Sequence, residues 1–181
     1  MRRCVSCRAA VTQAYVQGST ATVFLTSRQL RAATNAQSGA TVTVNATDPV
    51  ADTVILAGHS IANARSAGVA ALQVQLAAGT VTLDSDALAA ASANAAQQRA
   101  LGTQAATATL ANASVTVDGA AESYPAGSVR ASIPVRAADA LTAWSLAEDG
   151  TISAVGGAWD AQQQTYTFDV VSGVTAIARF P

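Results

Sequence analysis

Three segments of this chain repeat one pattern, Val-x-Leu followed five residues later by Leu or Ile. They are Val23-Phe24-Leu25 with Leu30, Val54-Ile55-Leu56 with Ile61, and Val81-Thr82-Leu83 with Leu88. A spacing near 30 residues is that of stacked supersecondary units, each too small to bury its own apolar face. Each triplet is short and largely apolar and opens on a β-branched valine, as suits a strand. Small polar residues able to cap a helix follow: Thr26-Ser27, His59-Ser60 and Asp84-Ser85. Thr26 and Gln29 stand at capping-box spacing.

The helices predicted after these triplets are short and rich in alanine. Leu30, Ala33 and Ala36 share one face of the first, with Gly39 beyond its end. Ile61, Ala64 and Ala67 form the second, closed by Gly68, and Leu88, Ala91 and Ala95 form a longer third that ends near Gly102. Glycine just past a helix accepts the left-handed backbone that ends one. A strand returns after each helix, over 41–45, 72–76 and 106–110. Ala77-Ala78-Gly79 predicts a hairpin from 72–76 onto 81–83. The stretch from Asn45 to Asp52, with Pro49, predicts the same fold-back one unit earlier.

From about residue 106 the pattern changes. Tyr124, Trp144, Trp159, Tyr166, Phe168 and Phe180 all fall in the last third, in a chain with only 4% aromatic residues. Alternating runs over 114–117, 129–135, 141–146, 151–155, 165–171 and 174–180 read as strands. Asp118-Gly119 and Asp149-Gly150 mark tight turns. The fold class is therefore α+β: strand-helix-strand repeats over 20–105, packed with an antiparallel β-rich half over 106–181. Residues 1–19 are expected to be a flexible leader. Alanine-rich helices bury too little surface to stand alone, so the two parts are expected to pack together, with the aromatics supplying the core.

Composition excludes several classes of function. The 181 residues carry 12% charged side chains and a net charge of −1, which is no surface for nucleic acid and no polybasic membrane anchor. No run of about 18 apolar residues could span a bilayer. Arg8 and Gln13 break the apolar stretch that a signal peptide would need after its basic start, so no signal peptide is recognised. Cys4 and Cys7 are the only cysteines and His59 the only histidine, so no second Cys/His pair completes a zinc site. No cofactor is expected.

Over roughly residues 20–180 the chain resembles a known module. Ala113-Ser114-Val115-Thr116-Val117-Asp118-Gly119, then Val129 with Ile133-Pro134-Val135, resembles a module of Gram-positive cell-surface proteins. So do Leu141-Thr142-Ala143-Trp144, Glu148-Asp149-Gly150-Thr151, Trp159-Asp160 and Thr165-Tyr166-Thr167-Phe168. The module is common upstream of S-layer homology domains in clostridial and Paenibacillus-type proteins, and its first part carries similar Val-x-Leu repeats. Val170-Val171-Ser172-Gly173-Val174 stands where that module usually has a His-Phe-Ser-x-Tyr-like segment. The resemblance implies an extracellular or cell-surface, non-catalytic spacer that contacts glycan or other surface proteins. It brings no functional residues with it.

Several residue groups could carry chemistry. Gly58-His59-Ser60-Ile61-Ala62, after an apolar strand and before a helix, resembles the nucleophile elbow of a serine hydrolase, which would make Ser60 the nucleophile of an esterase or lactonase. Such a serine needs a base, and His59, its neighbour in sequence, is the only histidine. The equivalent positions in the other repeats suggest instead that Ser60 caps the helix. Trp144 and Trp159, with Tyr124 and Tyr166, could either stack on a sugar ring or fill the core. Asp84 and Asp86 could bind calcium with Asp48 and Asp52, or simply favour a helix N-terminus. Glu122 and Glu148 are the only glutamates, and nothing pairs them as a glycosidase would require. Asn45-Ala46-Thr47 and Asn112-Ala113-Ser114 match the N-glycosylation sequon, a short pattern that also arises by chance. Unpaired strand edges would invite a homodimer.

Overall fold

The computed structural model describes residues 9–11, 14–34, 39–47, 51–98, 106–111, 114–118, 124–135, 141–147, 149–171 and 174–179. Cys4, Cys7, Asp48, Asn112, Glu122 and Glu148 lie outside them. The described residues form fifteen strands and three helices, an α+β chain that is mostly sheet. The strands are β1 (Ala9–Val11), β2 (Ala14–Gln17), β3 (Thr20–Val23), β4 (Thr41–Asn45), β5 (Thr53–Leu56), β6 (Ala71–Leu76), β7 (Gly79–Asp84) and β8 (Ala106–Ala111). They continue with β9 (Ser114–Asp118), β10 (Val129–Pro134), β11 (Leu141–Leu146), β12 (Ile152–Val155), β13 (Gly157–Asp160), β14 (Thr165–Asp169) and β15 (Val174–Arg179). The helices are α1 (Ser27–Ala33), α2 (Gly58–Ser66) and α3 (Ser85–Gln98).

Two mixed sheets contain all the strands. One has the order β1-β4-β6-β7-β10-β14-β13, the other β12-β11-β15-β9-β8-β5-β3-β2. The chain crosses from one to the other through α1, α2 and α3, and α2 packs against both other helices. Parallel pairing sets the first crossings side by side: Val23 stands opposite Leu56 in the second sheet, and Val42 opposite Leu72 in the first. The loops that leave α1 and α2 are bonded to each other. Gly39 N–H donates to Gly68 O at 2.8 Å, and Ala70 N–H to Ala40 O at 2.9 Å. Both glycines have positive φ, 83° and 68°, a conformation that costs residues with a Cβ about 1 kcal/mol or more.

Strand faces follow the alternation in sequence. In β6 the residues Leu72, Val74 and Leu76 are buried while Gln73 and Gln75 face outward, and β3, β5 and β10 alternate in the same way. One continuous core draws on both sheets and all three helices. Its largest fully buried side chains are Phe168 and the aliphatics Leu25, Leu30, Leu56, Ile61, Leu72, Leu83 and Leu88. Each such aliphatic contributes roughly 1.5–3 kcal/mol of transfer free energy, far more than an alanine. The core is therefore chiefly aliphatic. Of the described aromatics, Tyr166 and Phe168 enter it, while Trp159 does not.

Two expectations are corrected. Part of the segment expected to be a leader is structured: β1 pairs in parallel with β4, and β2 pairs antiparallel with β3. Without them, β3 and β4 would leave rows of backbone groups unpaired at the sheet edges. Second, the stretch from Asn45 to Asp52 makes no hairpin, since β4 and β5 belong to different sheets. Strands from both sides of residue 105 occur in each sheet. The third Val-x-Leu segment lies in β7 of the first sheet, whereas Val23 and Val54–Leu56 lie in the second. The β6–β7 hairpin, with its turn at Ala77-Ala78, reverses the chain before α3 can repeat the earlier crossing.

Candidate functional site

The segment 57–63 was the sharpest chemical candidate, and its geometry is well defined. β5 ends at Leu56, and Ala57 is the N-cap of α2, without a side-chain capping bond. Ser60 is the third residue of the helix, not its cap, and it is fully buried. Its Oγ donates to Val23 O at 3.1 Å and accepts from Leu25 N–H at 2.8 Å. Both bonds go to the chain leaving β3: Ser60 Oγ is the acceptor for the buried Leu25 N–H, while Val23 O also accepts from Ala57 N–H at 3.4 Å.

His59, the adjacent residue, points elsewhere. It is exposed, and its ring stacks on Phe24 with centroids 5.6 Å apart and planes 16° from parallel. Thus both side chains meet the 23–25 segment, but by different atoms on different sides. The Ser60 hydroxyl donates its proton to a carbonyl rather than to an imidazole, and it has no solvent exposure. An attacking serine needs the reverse of both.

Asn63 belongs to the same junction, and the sequence reading missed it. Its Nδ2 donates to Leu25 O at 2.8 Å, and its Oδ1 accepts from Ser27 Oγ at 2.9 Å. The available signal was its position three residues after Ser60, on the same helix face. Together Ser60 and Asn63 fasten α2 to the β3–α1 connection.

The two tryptophans do not form one face. Trp144 lies in β11 of the second sheet, opposite Ala154 and Ala176, and is half-buried. Trp159 lies in β13, the edge strand of the first sheet, opposite Tyr166, and is 40% exposed. Tyr166 is buried, its ring inclined to that of Phe168 at 6.1 Å, and Tyr124 packs partly against the core.

The carboxylates of Asp84, Asp149 and Asp160 are bound to backbone. Asp84 Oδ1 accepts from the N–H groups of Asp86 and Ala87 at 2.9 and 3.0 Å, which caps α3. Asp149 Oδ1 accepts from Thr151 N–H at 2.9 Å, and bonds from the backbone and side chain of Thr151 hold its carboxyl below the usual aspartate range. Asp160 Oδ1 accepts from the N–H groups of Gln162 and Gln163. Among the described residues no cluster of three or more His, Cys, Asp or Glu could hold a metal ion. No helix among them is long and apolar enough to cross a membrane. No protein-family model matches this chain, and neither a curated protein nor a solved structure is significantly similar to it.

Proposed function

We propose that this chain is a non-catalytic structural or spacer module of a bacterial cell-surface protein. The observation that carries the reading is the use made of Ser60. The residue with the best claim to chemistry is buried, with both its donor and its acceptor capacity committed to Val23 and Leu25. Asp84, Asp149 and Asp160 follow the same rule, each bonded to backbone N–H groups within three residues. Polar side chains used this way hold a scaffold in shape and leave little to act on a substrate.

Repetition is part of the proposal. The first two Val-x-Leu units are read as successive turns of one strand-helix-strand coil, supported by the parallel β3–β5 and β4–β6 pairs and the bonded loops at Gly39 and Gly68. Coils of this kind bury a continuous core between neighbours, which suits a stiff spacer. Cell-surface placement follows from the resemblance over roughly residues 20–180. It is tested by labelling intact cells of the source organism with an antibody to the chain. Signal on intact cells is expected, and signal only after lysis overturns the reading.

A second reading, glycan binding, is favoured by the 40% exposure of Trp159 on an edge strand. Exposed indole is the usual stacking surface for a sugar ring. Trp144, in the other sheet, would not share that contact.

A further inference from the structure

We propose that Asn45 is an acceptor site for an N-linked glycan. Asn45-Ala46-Thr47 meets the residue requirement, asparagine and threonine separated by a residue other than proline. The structure adds what the pattern alone lacks. Val42 and Val44 of β4 are buried and Asn45, the last residue of the strand, is exposed, as is Thr47. The two side chains already meet: Asn45 Oδ1 accepts from Thr47 Oγ at 2.7 Å and from Thr47 N–H at 2.9 Å. Ala46, between them, is buried, and its N–H is bonded to Gln75 O at 2.8 Å, which anchors the turn to β6.

This geometry bears on the chemistry of transfer. Amide nitrogen is a poor nucleophile, and two hydrogen bonds to Oδ1 draw electron density toward oxygen and make the Nδ2 protons easier to remove. The co-reactant is a polyprenyl-pyrophosphate-linked sugar. Nδ2 forms a bond to the anomeric carbon, the carbon–oxygen bond to pyrophosphate breaks, and its electron pair leaves with the pyrophosphate. The Nδ2 proton passes to a base of the transferase. A turn that is already formed lowers the ordering cost of presenting the acceptor. The inference rests on the cell-surface reading only for the compartment in which the donor would be met.

The test uses the intact, folded chain as acceptor for a single-subunit oligosaccharyltransferase that reads Asn-x-Thr, with a lipid-linked oligosaccharide as donor. Intact mass and peptide mapping report occupancy, and a short acceptor peptide in the same tube serves as control. Glycan at Asn45 is expected. Occupancy there should fall about tenfold or more in Thr47→Val, which keeps the shape and removes the hydroxyl, and persist in Thr47→Ser. Three results overturn the proposal: no glycan at Asn45 while the control peptide is modified, equal occupancy in Thr47→Val, or modification only after unfolding in urea. None of these depends on where the protein resides, so failure here and failure of the surface reading are separate outcomes.

Discussion

Gly157 and Tyr166 share one space. A Cβ placed on Gly157 would come within 2.7 Å of the Tyr166 ring and hydroxyl, closer than carbon atoms tolerate. The contact sits where the chain leaves the last strand of one sheet and, after Gly156 alone, becomes the edge strand of the other. Tyr166 is buried beside Phe168 and has little room to withdraw. Gly157→Ala is therefore expected to destabilise the fold by about 1–3 kcal/mol. Urea unfolding measures it. If Tyr166 is the cause, adding Tyr166→Ala should produce a total clearly below the sum of the two single effects, because residues in contact are coupled.

Ser60→Ala leaves the buried N–H of Leu25 without its acceptor, since Ser60 Oγ is its partner at 2.8 Å. The expected cost is about 1–3 kcal/mol, seen as a lower urea midpoint with unchanged slope. A panel of esters and lactones assayed with both proteins should show no turnover above buffer. Turnover that disappears in Ser60→Ala would overturn the structural reading of this residue.

The start of α1 should weaken in a predictable way. Thr26 Oγ accepts from Gln29 N–H at 3.3 Å, and Gln29 Oε1 accepts from Thr26 N–H at 2.9 Å, a reciprocal capping box. Thr26→Ala should cost about 1 kcal/mol and Thr26→Asp much less, measured by thermal or urea unfolding.

Asp149 supplies a dependence on pH. Its carboxyl is held below the ordinary aspartate range first by the backbone N–H of Thr151. A depressed folded value means that this stabilisation is complete above the unfolded aspartate value and is lost as pH falls through the folded one. A carbon-detected NMR titration should find the Asp149 midpoint below that of a model peptide. Asp149→Asn should remove that part of the acid dependence, and a midpoint at the model value would contradict the bond.

Added polysaccharide tests the exposed indole. If Trp159 stacks on sugar, tryptophan emission should shift with wild type and not with Trp159→Ala. The half-buried Trp144 remains as an internal reference in that variant. No shift across β-linked glucans, chitin fragments and cell-wall polymer would leave Trp159 as an edge residue only.

Local rules written in the chain determined a good deal. Thr26 and Gln29 announced their capping box, Asp149-Gly150 its turn, and Leu72-Gln73-Val74-Gln75-Leu76 both a strand and its buried face. Each of these is decided within a few residues by backbone geometry and side-chain period. The tertiary structure alone decided which sheet each strand joins, and that residues 9–11 and 14–17 become edge strands. It also decided that Ser60 is bonded to Val23 and Leu25, more than thirty residues away in sequence. The physical reason is common to all of them. Alternation fixes which face of a strand is apolar, but the partner of a backbone N–H or a buried hydroxyl is set by whichever distant segment packing brings within hydrogen-bond reach.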